Sequence, residues 1–407
     1  MRTFDIVVAG SGPAGLAAAA ACAQSGAQIG LVSLAVQADA APDTRTAALF
    51  PGSLALLHHI GAMTHLAGTI APMRGIRIVD DRNGLLRAPE VVFEAHEMGM
   101  QDFGANVPQQ ALGAALFAAV KAMPNVQFIE GRVTGLDDGN ACTKVHLDGG
   151  TCVPARLVVA ADGRNSICRA AAGIAAETWD YPQVAIAAQF SHSRPHHGIS
   201  TEFHRSAGPC TVVPMPGNRS SLVWVERPAI AERLGGLDDA AFAHALEDRL
   251  HGVLGRVSEV GIRRLFPLGG LKAKCLARNR VVLVGEAGHT LPPIGAQGLN
   301  LGFRDVAVLA DLVAGAMAPS RDIGGAELLD AYHVARRADV AVRTVAVDLL
   351  NRSLLADLLP ADLARGLGLH LAGGIAMLKR QVMRAGFEPV GNLPRLMRMP
   401  LAASSAA

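Results

Sequence analysis

The stretch FDIVVAGSGPAGLAAAAACAQSGAQIGLVS, residues 4–33, decides the fold. No Asp, Glu, Lys or Arg occurs between residues 6 and 38. Such a run can pass for a membrane span or, with Arg2 ahead of it, for a signal peptide. Asp5 at its edge and Gly10, Gly12, Pro13 and Gly15 inside it break both patterns. The segment reads instead as a strand over 4–9, a turn over 10–15, an Ala-rich helix over 16–25 with Gly26 as C-cap, and a second strand over 27–33. A βαβ unit covered on both faces explains the missing charges. The turn is a G-x-G-x-x-G in which Gly10 permits the tight turn, Gly12 lets the backbone approach a pyrophosphate, and Gly15 lets the helix pack on the strand, with Pro13 and Ala14 between them. The helix N-terminus adds free N–H groups and a positive dipole end. This pattern predicts a dinucleotide site. The second strand ends in Ser33, where an acid would ordinarily hold the ribose hydroxyls, and Asp39 is the next acid along the chain.

Two later segments repeat the strand-to-turn design. In RLVVAADGRNSICR (156–169), a strand over 156–161 runs into the turn Asp162-Gly163. In RVVLVGEAGHTLPPIGAQGLNLGFRD (280–305), a strand over 281–284 ends at Gly285-Glu286, a Pro-Pro loop follows, and Gly295–Gly302 leads into a helix reaching to about Ala316. All three units place small or polar residues at the carboxyl end of a strand, where α/β folds bind ligands.

Composition excludes several classes. Of 407 residues, 50% are hydrophobic and 18% charged, with mean hydropathy +0.29, so the chain is not disordered. Its formal charge of +2 and aromatic content of 4% argue against nucleic acid as a partner. Cys22, Cys142, Cys152, Cys168, Cys210 and Cys275 form no C-x-x-C pair, as expected of reduced thiols in the cytoplasm. His192, His196, His197 and His204 cluster without a zinc spacing, so no metal site is expected.

The combination of Gly10–Gly15, Asp162-Gly163 and Gly285-Glu286 resembles the FAD-dependent aromatic hydroxylases, the group containing para-hydroxybenzoate hydroxylase. Within it, DTRTAAL (43–49), FGANVPQQAL (103–112), WDYPQVAIAAQF (179–190) and GPCTVVPMPGNRSSLVW (208–224) look most like the ubiquinone-biosynthesis hydroxylases. Glu286 and Ser33 depart from the usual acids there. The resemblance implies an α/β fold: a Rossmann-like FAD-binding domain, an inserted antiparallel-sheet substrate domain and a helical C-terminal segment. It implies FAD as cofactor, NAD(P)H as transient reductant, O2, and ring hydroxylation of a prenylated phenol through a flavin hydroperoxide. Arg45 and Gln109 are implied to lie near the flavin, and Asp162 to meet the flavin or the nicotinamide. Ser33 is left with the ribose, and Glu286 reaches a ribityl hydroxyl.

Gly295, Ala296, Gln297, Gly298, Leu299 and Asn300 suit the approach of backbone and helix N–H donors to the ring's carbonyl edge. The resemblance implies that Pro292 and Pro293 form a rigid wall near the reacting face. Pro293, Gly295 and His289 are the catalytic candidates, with a structural hydrogen bond as the other reading of His289. The alternatives are a hydroxylase of a soluble aromatic compound and a non-catalytic FAD-binding assembly protein.

The domains expected are 1–174 (first part of the FAD-binding domain, with room for a substrate-domain strand near 70–105), 175–275 (substrate domain, an antiparallel sheet with one helix), 276–325 (second part of the FAD-binding domain) and 326–407 (C-terminal helices). The apolar run 184–188 is expected to roof the substrate pocket. Residues 366–378 are uncharged but too short to span a bilayer. Lys379, Arg380, Arg384, Arg395 and Arg398 follow, a pattern that suits lying on anionic lipid or, equally, a packed helix with a solvated basic end. The resemblance implies a cytoplasmic protein in peripheral contact with the inner membrane and with other ubiquinone-biosynthesis proteins.

Overall fold

A computed structural model describes residues 3–34, 43–82, 89–318, 321–355, 376–387 and 391–399. Most of the uncharged run 366–378, and Asp39, lie outside the described residues.

The strand Phe4–Ala9 sits at the centre of an eight-stranded sheet. It pairs in parallel with Cys152–Ala160 on one side and Ile29–Ser33 on the other. Val281–Leu283 extends the first side and Val126–Glu130 the second, both in parallel. Ile6, Val7, Val8 and Ala9 are completely buried, as a strand covered on both faces must be. Helix Pro13–Ala23 packs on the sheet, and every residue from Gly15 to Ala23 in it is buried. Its alanines allow close approach by the long helix Gln297–Ala316, which in turn packs against Ala326–Leu355.

A second sheet has nine strands, in the order His289–Thr290, Arg264–Ala273, Ala176–His192, Arg219–Glu226, Gly208–Met215, Ile199–Arg205, Gly75–Asp80 and Val91–Glu94, with Val257–Ser258 beside Ala176–His192. It is larger than the sheet expected from residues 175–275. Two of its strands come from residues 75–94, and the junction of Ile199–Arg205 with Gly75–Asp80 is parallel. Two helices, Pro228–Gly235 and Asp239–Arg249, follow its last hairpin.

The run 184–188 does not form a continuous apolar roof. Strand alternation divides it between two faces. Ile186 and Ala188 point outward and pack with Phe190, Phe203, Val212, Leu222 and Trp224 under Phe242 and Leu246. Ala185 points inward, with Val225, Tyr181 and Leu268. By the same alternation, register pairing lines up Arg264, Ala187, Val223, Thr211, Glu202 and Ile78 across the inner face.

A three-stranded sheet of Thr46–Leu49, Ala105–Pro108 and Ala71–Pro72 touches the Gly208–Met215 strand.

Candidate functional site

The turn over 10–15 is shaped by absent side chains. Gly10 has φ +109°, and a Cβ there would lie 2.4 Å from the Ala161 carbonyl oxygen. A Cβ on Gly15 would lie 2.0 Å from the Gly10 oxygen and 3.2 Å from the Ala161 Cβ. Both glycines are therefore needed for packing. Gly12 differs: a Cβ there would meet nothing within 4 Å. It is the helix N-cap, Pro13 is the first helical residue, and the first turn has no acid and no side-chain cap among the described residues. An open position ahead of free N–H groups fits the pyrophosphate of a dinucleotide.

The other two turns meet the first. Gly285 has φ +61°, and its missing Cβ would fall 3.2 Å from the Ala14 Cβ. A Cβ on Gly302 would likewise fall 3.2 Å from the Gly285 Cα. Glu286 is exposed beside them. Asp162 lies one residue beyond Ala161, but its carboxylate serves its own turn. Oδ1 accepts from Ser166 Oγ at 2.5 Å and Oδ2 from the Cys168 N–H at 3.1 Å. Gly163, at φ +83°, completes that turn. Ser33 ends its strand half-buried.

Arg45 and Gln109 are brought together, since the Gln109 N–H donates to the Arg45 carbonyl at 2.9 Å. The Arg45 guanidinium grips Asp43, lies 5.0 Å over the Phe266 ring, and is close enough to Glu286 for that carboxylate to raise its pKa further after Asp43. Arg45 thus reaches the third turn electrostatically.

The loop over 292–300 has an open rim and a tethered base. Pro293, Gly295 and Gly298 are exposed, whereas Pro292, Gln297 and Asn300 are buried and Leu299 is half-buried. Gly295 and Ala296 both adopt left-handed backbone, at φ +62° and +53°. Helix 297–316 starts there with no acid in its first turn and no side-chain cap among the described residues.

The side chains of Asn300 and Gln297 are buried and turn inward. Asn300 makes four hydrogen bonds: it accepts from the Phe50 N–H and Ser53 Oγ and donates to the Ala48 and Ala296 carbonyls, all between 2.7 and 2.9 Å. Its hydrogen-bonding capacity is spent on fixing the loop to the strand 46–49. Gln297 donates to the Gly295 carbonyl at 2.9 Å and the Gly386 carbonyl at 3.3 Å. Gln297 Oε1 is buried without a hydrogen-bond partner among the described residues, and the backbone N–H groups at the helix start are left for a ligand.

His289 makes the structural hydrogen bond that is its other reading. Its side chain is 1% exposed, and Nε2 lies 2.6 Å from Asp305 Oδ2. The same Asp305 oxygen accepts the Gly285 N–H at 3.0 Å, and Oδ1 accepts Arg336 Nε at 2.7 Å. Burial pushes the Asp305 carboxyl up, but His289 and Arg336 outweigh it and hold it below the usual carboxylate range. His289 and Asp305 are positioning residues for the Gly285 turn. Sequence reasoning missed Asp305, although it closes the quoted motif. Asp339 continues the network to Arg336 at 2.8 Å and Arg304 at 3.3 Å. Arg304 and Arg343 donate to the Phe387 and Gly386 carbonyls, each at 2.9 Å.

Those carbonyls end helix Ala376–Phe387. Phe387 stacks on Phe103 and meets Phe50 edge-on, both at 4.8 Å between centroids. With Met73, Val91, Phe93 and Met383 these rings form an apolar cluster that includes Ala296 of the loop. Lys379, expected among the lipid-facing cations, is drawn to Glu97 at 2.6 Å and lies over Phe93. Arg395 pairs with Asp311 at 3.6 Å, and Arg398 donates to the Leu393 carbonyl. Arg380 and Arg384 are exposed.

On the inner face of the nine-stranded sheet, Glu202 accepts from His204 Nε2 at 2.5 Å and Thr211 Oγ1 at 3.2 Å. The sequence offered no signal for this pair beyond the alternation of the strand. No cluster able to hold a metal ion occurs among the described residues.

The glycine turn, the two further strand-end turns and the two uncapped helix starts fit a bound FAD. Solved structures agree on the fold: the p-nitrophenol 4-monooxygenase PnpA of Pseudomonas putida superposes with a TM-score of 0.77, at 18% identity, over 96% of this chain and 100% of that one. The HpxO protein of Klebsiella pneumoniae, solved with FAD and uric acid, gives 0.73 at 19% identity, over 94% of this chain and 96% of that one. The ubiquinone hydroxylase UbiL of Rhodospirillum rubrum is 36% identical over 98% of this chain and 93% of its own length. The 3-demethoxyubiquinol 3-hydroxylase of Escherichia coli is 29% identical over 93% of this chain and 97% of its own. The FAD binding domain family matches residues 3–347. With these turns and that match, the chain belongs to the FAD binding domain family.

Proposed function

We propose that this protein is an FAD-dependent monooxygenase that hydroxylates the ring of a prenylated phenol in ubiquinone biosynthesis, with NAD(P)H as reductant. The observation that carries the reading is the 36% identity to a ubiquinone hydroxylase across nearly the whole chain. Bound FAD supplies the electron transfer and oxygen activation that ring hydroxylation needs. The protein's own part is positional. N–H groups at the start of helix 297–316 favour negative charge beside the loop. Asp305 and Asn300 keep that loop and the Gly285 turn in place. Phe50, Phe103, Met383 and Phe387 pack as an apolar core cluster against the Ala296 side of the loop.

One observation favours a soluble aromatic acid instead. Arg264 lies on the inner row opposite Ala187, and its Nε is buried without a hydrogen-bond partner. A carboxylate could take that donor, although Asp43 already feels the Arg264 charge.

Deleting the gene should make cells accumulate a prenylated phenol lacking one ring hydroxyl and lose ubiquinone, as read by mass spectrometry of lipid extracts. Unaltered ubiquinone, with no such intermediate and no second hydroxylase in the genome, moves the assignment to the soluble acid.

Peripheral contact with anionic lipid is part of the same proposal. No described helix is long and apolar enough to cross a membrane. The contact would fall to Arg380 and Arg384. Replacing both with Glu should weaken vesicle binding by about 1 kcal/mol per charge, and unchanged co-sedimentation would remove the membrane from the proposal.

A further inference from the structure

We propose that Glu130 takes the place of the acid missing at residue 33 and accepts hydrogen bonds from the ribose hydroxyls of the adenosine half of FAD. The proposal rests on the FAD assignment and goes beyond it to a residue on a different strand.

The strand Ile29–Ser33 delivers its last residue beside the glycine turn, because the Gly10 N–H donates to the Val32 carbonyl at 3.0 Å. An acid there would reach a nucleotide held at Gly12. Ser33 offers only a short hydroxyl. The strand Val126–Glu130 is the next one outward and forms that edge of the sheet. It pairs with Ile29–Ser33 in parallel, and its register sets Glu130 directly against Ser33.

Register partners in a parallel pair point to the same face, with backbones about 4.8 Å apart. The longer Glu side chain spans much of that offset. The Gly131 N–H donates to the Ser33 carbonyl at 3.0 Å, so pairing holds up to the strand's end. Gly131 then turns the chain away at φ +140°. Glu130 is therefore left at the carboxyl edge, where nucleotides bind in this class of sheet.

Glu130 is also unengaged. It is exposed, and it has no hydrogen bond or ion pair among the described residues. Nearby Asp148, by contrast, is committed to the Arg132 N–H at 3.0 Å. A carboxylate accepts at both oxygens and makes stronger bonds than a hydroxyl, which suits a pair of vicinal ribose hydroxyls.

The test is FAD affinity of the purified apoprotein, read by quenching of flavin fluorescence, with FAD and with its analogue lacking the adenosine 2′-hydroxyl. The variants are Glu130→Gln, Asp39→Asn and Ser33→Glu/Glu130→Gln, and melting of each apoprotein is followed alongside. Wild type should prefer FAD to the analogue about tenfold. Glu130→Gln should bind FAD about tenfold more weakly, lose the preference and melt like wild type. Ser33→Glu/Glu130→Gln should regain it. The proposal is overturned if Glu130→Gln keeps the preference, if it weakens both ligands equally, or if Asp39→Asn alone abolishes the preference. Failure of the wild type to bind FAD would strike the cofactor assignment itself and remove the proposal with it.

Discussion

The helices that begin at Pro13 and Gln297 both open without a side-chain cap, yet the loops ahead of them are held in opposite ways. The first loop is held by atoms that are not there. Gly10 and Gly15 let backbone oxygens come within what would be 2.4 and 2.0 Å of a Cβ, and no described side chain ties the turn down. The second loop is held by atoms brought from elsewhere. Asn300 binds Ala48, Phe50 and Ser53, Gln297 binds Gly386, and Asp305 binds His289, Arg336 and the Gly285 backbone. One uncapped helix start is therefore held by a turn intolerant of added bulk, and the other by a loop intolerant of lost polar partners.

The largest effect should come from adding bulk to the first loop. Gly15→Ala should destabilise the apoprotein by about 3 kcal/mol or more, because its neighbour is backbone and cannot step aside. Gly12→Asp, facing open space, should change apoprotein stability by less than about 1 kcal/mol. It should nonetheless abolish FAD retention, since its charge meets the pyrophosphate. Urea unfolding and the visible flavin spectrum read the two outcomes. A stable Gly15→Ala, or a yellow Gly12→Asp, would break the contrast.

A smaller loss is expected from removing a polar anchor of the second loop. Asn300→Ala leaves the Phe50 N–H, Ser53 Oγ and two carbonyls short of partners, at a cost of about 2–3 kcal/mol. If urea unfolding finds less than about 0.5 kcal/mol, side-chain anchoring is not what fixes this loop.

The smallest effect is a pH slope that sharpens the same distinction. Asp305 is held below the usual carboxylate range in the folded protein. Its stabilising contribution is present above the ordinary carboxylate pKa and fades as pH falls through the lowered folded value. The stability deficit of Asp305→Asn relative to wild type should therefore shrink as the solution is acidified into that range. Unfolding measured at a series of pH values checks this, and a deficit independent of pH would mean that Asp305 acts by shape alone.

The contrast also explains what could be read in advance. The strand, turn and helix over 4–33 were legible because every determinant lies within thirty residues: an apolar run, three glycines at fixed spacing, and an Ala-rich stretch. The loop over 292–300 was legible as a loop and as a helix start. The inward turn of Asn300 and Gln297 was not, because their partners are as distant in sequence as Ala48 and Gly386. His289 was legible beside the flavin segment as either a proton relay or a structural hydrogen bond, but its partner was not legible. Its partner Asp305 lies only 16 residues on, but on a helix whose inward face needs the assembled sheet to define it. The run 184–188 looked like one apolar surface because composition carries no direction. The strand's period of two then sent alternate residues to opposite faces.

By itself, the sequence determined the parallel core, the three strand-end turns, the helix behind the first of them, which begins at Pro13 rather than at residue 16, and the absence of an acid at Ser33, all consequences of local backbone geometry and hydrophobic periodicity. Tertiary structure alone decided that residues 75–94 give the second sheet two strands and join it through a parallel pairing, that helix 376–387 closes over the apolar cluster, and that Glu130 stands in register with Ser33. Strand order and helix docking follow from burying apolar surface across long stretches of chain. That free energy depends on which surfaces meet, and no local pattern of residues records it.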